Sequence, residues 1–172
     1  MVATPINRNT AICFDPNLEL PTVQIKKILL AEDDDDDFYL FNSAILSICG
    51  SLEILRSNNG AMLSSLMETS KKPDIIILDI NMPFKNGILC LREIKGNPRL
   101  SSIKVVMYST SGSNKDIDTC YKYGADFYLV KPISYASIVQ QFKDLFSNEY
   151  FLTNQRPPRE KFVLNNSLFY SF

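Results

Sequence analysis

The chain has 172 residues, 45% hydrophobic and 22% charged, values that suit one domain with a real core plus tails. With 18 basic against 19 acidic side chains the net charge is -1, which gives no basic excess to favour nucleic acid or a membrane surface. There is no His, which excludes His-based general bases, the usual zinc sites and Ser-His or Cys-His nucleophiles. No apolar run approaches the ~18 residues of a membrane span, and the N-terminus lacks a cationic start followed by an apolar core. A cytoplasmic protein is the expectation. Cys13, Cys49, Cys90 and Cys120 form no C-x-x-C pair and are expected as reduced thiols.

Residues 1–24 carry Pro5, Pro16 and Pro21 without sustained periodicity and predict an irregular extension. A strand is predicted from Ile25 to Ala31, followed by the acids Glu32 to Asp37. Phe38, Phe41, Ile45 and Ile48 recur at helical spacing, so a helix covers 35–48 and ends before Gly50. Leu52, Ile54 and Arg56 alternate as a short strand, and Met62, Leu63, Leu66 and Met67 form one helical face. Ile75-Ile76-Ile77-Leu78, bounded by prolines and ending in Asp79, predicts a strand buried on both faces. The loop Phe84-Lys85-Asn86-Gly87 holds a residue suited to positive φ. Ile88, Leu91 and Ile94 predict a third helix, and Ile103 to Tyr108 a strand ending in Ser109-Thr110-Ser111. A polar helix over 113–123 stops at Gly124; a last strand runs from Asp126 to Lys131, and Ser134 caps a helix with Ile138, Phe142 and Leu145.

Strand and helix alternate five times with short loops, which predicts an α/β fold with a parallel sheet and helices on both faces. One folded unit is expected over 25–147, with 148–172 too short for a second folded domain. Its Arg156-Pro157-Pro158-Arg159 prevents a continuous helix. The aromatics Phe162, Phe169, Tyr170 and Phe172 are expected to pack on the domain or stay disordered rather than bind a partner.

Parallel strands deliver Glu32 and Asp33, Asp79, Ser109 and Lys131 to one edge of the sheet. In a flavodoxin-like order 2-1-3-4-5 the first and third strands are neighbours, which brings Asp33 and Asp79 together. Two carboxylates about 4 Å apart repel by roughly 4 kcal/mol at an effective dielectric near 20, so the cluster calls for a cation. Oxygen-only ligands suit Mg2+, and Lys131 with Ser109 could hold the oxygens of a phosphoryl group.

Glu32-Asp33, Asp79-Ile80-Asn81-Met82-Pro83 with Gly87, Ser109, and Tyr128-Leu129-Val130-Lys131-Pro132 together resemble the receiver domain of two-component response regulators over residues 26–147. The resemblance implies Asp79 as phosphoacceptor. It makes Asp33 a direct Mg2+ ligand, has Glu32 act through water, and gives the metal the Asn81 backbone carbonyl. Lys131 would pair with phosphoryl oxygens, Ser109 would be the switch hydroxyl and Tyr128 the aromatic switch. A cis Lys131–Pro132 bond is implied as well. Ser109 stands where Thr is commoner, and Glu-Asp replaces Asp-Asp; both keep the chemistry. Asn81 and Ser111 flank the site as candidates for tuning adduct lifetime, and Asp34 to Asp37 read as solvated acids favoured by a helix N-terminus.

The implied partners are a sensor histidine kinase or histidine phosphotransfer protein and an unnamed downstream protein, with homodimerisation a further option and neither nucleic acid nor membrane involved. The chain would catalyse only its own phosphorylation and slow self-dephosphorylation. One alternative is a Mg2+-dependent phosphohydrolase of the haloacid-dehalogenase kind. That chemistry wants a second Asp two residues after the nucleophile, where Asn81 stands, and a nucleophile on the first strand. The other is an interaction domain that never handles phosphate, against which the intact acidic set argues.

Overall fold

The computed structural model describes residues 25–50, 52–69 and 72–164. The extension predicted at 1–24 and the aromatics Phe169, Tyr170 and Phe172 lie outside the described residues. In chain order the elements are β1 (Lys27–Ala31), α1 (Asp35–Cys49), β2 (Glu53–Ser57), α2 (Gly60–Thr69), β3 (Ile75–Leu78) and α3 (Gly87–Gly96). These are followed by β4 (Lys104–Ser109), α4 (Asn114–Lys122), β5 (Phe127–Val130), α5 (Tyr135–Ser147), a short α6 (Glu149–Leu152) and a 3₁₀ turn (Arg159–Lys161).

All five strands are parallel in the order β2-β1-β3-β4-β5, the flavodoxin-like arrangement expected from the strand–helix alternation. Every residue of β3 and β4 is buried, as central strands between two helical layers must be. On one face α1 and α5 pack Phe41, Ile45, Phe142 and Leu145 against the sheet. On the other, α2, α3 and α4 contribute Leu63, Leu91 and Ile117. Register aligns Ala31 with Leu78, Leu78 with Met107, and Ser109 with Val130, so the strands end along one line. No helix among the described residues is long and apolar enough to cross a membrane.

Short polar side chains start the helices. Asp34, Asn86, Ser113 and Ser134 each accept a backbone N–H of the first turn, which satisfies a donor the helix itself leaves unpaired. Asp34, exposed as expected, is the cap of α1 and accepts Asp37 N–H at 2.9 Å.

Four expectations are corrected. Positive φ does occur in the β3–α3 loop, but on the exposed Phe84 (64°) and not on a residue suited to it. Gly87 is needed for another reason: a Cβ there would lie 2.0 Å from the Asp79 carbonyl oxygen. The described peptide bonds are all trans, Lys131–Pro132 included. Trans is the lower-energy form of an X-Pro bond, and Lys131 reaches its carboxylates from it. Cys49 is disulfide-bonded, whereas Cys90 and Cys120 are free and buried. Distance along the chain sets only a slowly varying closure entropy, so wide Cys spacing does not forbid pairing. Finally, β5 ends at Val130 and β1 begins at Lys27, which places Lys131 just beyond its strand rather than at its end.

The described part of the tail, through Leu164, packs on the domain. Tyr128 N–H donates to Phe162 O (2.9 Å) and Leu164 N–H to Tyr128 O (3.0 Å), so Val163 forms a parallel bridge on the outer edge of β5. Phe162 is fully buried, with ring centroids 5.0 Å from Tyr121 and 6.2 Å from Tyr128. Arg159 pairs with Asp118 of α4, and Arg156 donates to the carbonyls of Ala125 and Tyr121.

Because Gly87 abuts the backbone of Asp79, Gly87→Ala is expected to cost at least about 3 kcal/mol, above the usual overpacking range, since backbone and not a flexible side chain is in the way. Urea denaturation checks this; a cost below about 1 kcal/mol contradicts the close approach.

Candidate functional site

The crevice at the ends of β1 and β3 collects the predicted acids. Carboxylate oxygens of Glu32, Asp33 and Asp79 all lie within 4.8 Å of one another. Glu32 and Asp79 are buried, 1% and 6% exposed, while Asp33 is open to solvent. The backbone sets this convergence. Glu32 N–H donates to Ser57 O of β2 and Asp79 N–H to Ala31 O of β1, so both acids leave the sheet on its ladder. Asn81 turns its backbone N–H back onto Asp79 Oδ1 at 3.2 Å.

Lys131 crosses from the far side. Its Nζ donates to Glu32 Oε2 (2.7 Å), Asp37 Oδ2 (2.7 Å) and Asp79 Oδ2 (3.0 Å), and it lies 5.6 Å from the centre of the Tyr108 ring. Burial alone would lower the lysine's pKa; bonds to Asp37 and Glu32 and the charge of Asp79 outweigh it and hold the group protonated. At Glu32 burial outweighs the ion pair instead. Burial pushes its carboxyl up to about 7, against the downward pull of Lys131.

That shift has a sign. Folded Glu32 holds its proton more tightly than the unfolded chain, so its contribution to stability is full below pH ~4.5 and lost as pH rises through about 7. The metal-free protein is expected to become less stable over that window, by at most roughly 3 kcal/mol. Glu32→Gln flattens the slope in thermal melts from pH 5 to 8; an unchanged slope contradicts the assignment.

The switch candidates sit beside this cluster. Ser109 is fully buried at the end of β4, and its Oγ accepts Ser111 N–H at 3.3 Å. Ser111 spends its hydroxyl on Asp116 of α4 (2.6 Å), which draws that carboxyl below its ordinary pKa. Tyr128 is turned inward and fully buried, its hydroxyl donating to Ser111 O at 2.6 Å.

Two residues of the site escaped the sequence reading. Asp37, read as a solvated acid, is an ion-pair partner of Lys131. Arg56, read only as part of a strand, clamps the acidic loop: Nε donates to Glu32 O (3.0 Å), one amino nitrogen to Asp33 O (2.9 Å) and the other to Asp35. Its guanidinium also lies 4.6 Å over the Phe38 ring. The one available signal for Asp37 was its position four residues after Asp33, one turn on.

Three converging carboxylates without a nitrogen or sulfur ligand suit a hard divalent ion. The open position of Asp33 leaves room for such an ion to keep water. Beside them stand a buried carboxylate with an ammonium on it and a hydroxyl on the next strand, a set able to receive and hold a phosphoryl group.

The sequence model of the response regulator receiver domain matches residues 28–143, and this chain belongs to that family of two-component response regulators. It is 36% identical over 127 residues to the response regulator Rcp1 of Synechocystis sp., covering 70% of this chain and 82% of that one. The probable methanogenesis regulatory protein FilR2 of Methanothrix harundinacea is 32% identical over 136 residues, covering 76% and 86%. Among solved structures, the phosphorylated cyanobacterial phytochrome response regulator RcpA superposes with a TM-score of 0.67 at 30% identity, over 76% of this chain and 96% of that one. The Mn2+-bound form of Rcp1 gives 0.65 at 28% identity, over 72% and 96%. Receiver domains are signalling domains, and the relative Rcp1 has been solved in a Mn2+-bound form.

Proposed function

We propose that Asp79 is the phosphoacceptor and that Glu32, Asp33, Asp79 and the Asn81 carbonyl form a Mg2+ site, with Glu32 acting through water. The observation that carries this is the meeting of three carboxylates within 4.8 Å of one another, with Lys131 Nζ 3.0 Å from Asp79. When bound, Mg2+ supplies charge neutralisation for the phosphoryl oxygens.

An Asp79 carboxylate oxygen attacks phosphorus on a partner's phosphohistidine. The new O–P bond forms as the P–N bond breaks, and its electron pair leaves on the imidazole nitrogen. Lys131 offers an N–H to the transferring oxygens, and Ser109 offers its hydroxyl. The product carries about half to one more negative charge than the carboxylate it replaces. Repacking of Ser109 and Tyr128 then resets the face made by α4, β5 and α5. In this structure the Tyr128 ring is already inward against Phe162, so the tail belongs to that face. Asn81 tunes adduct lifetime from beside Asp79; Ser111 does so through its bonds to Asp116 and Tyr128.

The working unit is residues 25–147, with 148–172 acting as a tail on that unit and not as an output domain. It acts in the cytoplasm, loaded by a sensor histidine kinase or histidine phosphotransfer protein, and signals by binding a protein rather than by turning over substrate. Acetyl phosphate with Mg2+ tests this: one phosphoryl mass added per chain supports it. Rapid multiple turnover would favour a phosphohydrolase, and no adduct an interaction domain.

A further inference from the structure

We infer that Asp37 is a positioning residue that restrains Lys131 and slows the loading of Asp79; the inference rests on Asp79 being the phosphoacceptor. An ammonium has three N–H donors, and all three of Lys131 are taken, by Glu32 (2.7 Å), Asp37 (2.7 Å) and Asp79 (3.0 Å). A phosphoryl group arriving on Asp79 brings oxygens that need the same protons. The bond to Asp37 is shorter than the bond to Asp79, and it pulls the ammonium toward α1.

Asp37 differs from the other two anchors. It is not one of the three converging carboxylates, and its side chain is 39% exposed against 2% for Glu32 and 8% for Asp79. Asp34 fixes its backbone, so the carboxylate stands one turn above the acidic pair and faces the lysine. Being half in water, it can release Lys131 without leaving a buried charge unpaired. While it holds, it neutralises part of the ammonium charge that Asp79 would otherwise use, and it adds a negative charge near an anionic donor. Both effects oppose the transition state. Asp36 lies on the same turn, exposed, and takes none of the three lysine bonds.

The full chain is loaded with acetyl phosphate at saturating Mg2+ and the adduct followed by intact mass, for wild type, Asp37→Asn, Asp37→Glu and Asp36→Asn. Asp37→Asn is expected to raise the maximal loading rate about three- to tenfold, a partly screened ion pair's worth. Asp37→Glu stays near wild type and Asp36→Asn within about twofold, since the latter changes charge without touching Lys131. A readout free of turnover is proton exchange of the Lys131 ammonium by 15N NMR without donor, which speeds up in Asp37→Asn alone. If Asp37→Asn loads no faster than wild type, or Asp36→Asn matches it, the restraint is overturned while the phosphoacceptor reading stands. If no variant, nor the wild type, gains a phosphoryl mass, that reading falls and the restraint with it.

Discussion

Asp79→Asn is expected to take up no phosphoryl group from acetyl phosphate while remaining folded. The amide keeps an oxygen to accept Asn81 N–H, so the loop after β3 holds its shape. It has no charged oxygen to attack phosphorus, and an amide does not form the acyl phosphate. Metal affinity should fall roughly ten- to a hundredfold or more, as loss of one of three carboxylates must cost at least what loss of a supporting group does. Without metal, the variant should be no less stable than wild type, because a like charge has left a crowded cluster and Lys131 keeps Glu32 and Asp37. Titration calorimetry with Mg2+ and a urea melt separate these effects. Unchanged Mg2+ affinity would show that Asp79 is not in the metal site.

The second large effect lies outside the span of the family match. Phe162→Ala is expected to destabilise by about 3 kcal/mol, the low end for a buried Phe, because the partly open tail can collapse onto the gap. Phe162 is fully buried against Tyr121 and Tyr128, although the family match ends at residue 143. The Tyr128 amide proton, bonded to Phe162 O, should lose protection in hydrogen exchange, whereas amides of β1 and β3 keep theirs. Phosphoryl loading should persist, since Phe162 makes no contact with the carboxylates. A melt within about 0.5 kcal/mol of wild type would mean the tail is not integral to the β5 edge.

Much of this was legible in the sequence, and the reason is physical. Ile75 to Leu78 is an aliphatic run and Ile103 to Tyr108 an apolar one broken only by Lys104; both are too short for helices and too apolar for an exposed strand. Once the strands are parallel, their terminal residues share an edge, so Asp33, Asp79, Ser109 and Lys131 could be grouped before any coordinates. What was not legible depends on approach between distant backbones. Gly87 looked like a turn glycine, but the Asp79 carbonyl against it is a tertiary contact. Asp37 and Arg56 carry no motif; only the folded path brings Lys131 94 residues back to one, and the acidic loop onto the other. Phe162 lies 34 residues beyond Tyr128, and pairing of an irregular tail with a sheet edge leaves no periodic trace.

The most direct measurement is the site of phosphorylation itself. The full chain is loaded with acetyl phosphate and Mg2+, the acyl phosphate reduced with borohydride, and the digest mapped by mass spectrometry. Residue 79 should be recovered as homoserine, with every other Asp and Glu unchanged. Reduction at another acid, or at none while a phosphoryl mass persists, would contradict the assignment of Asp79.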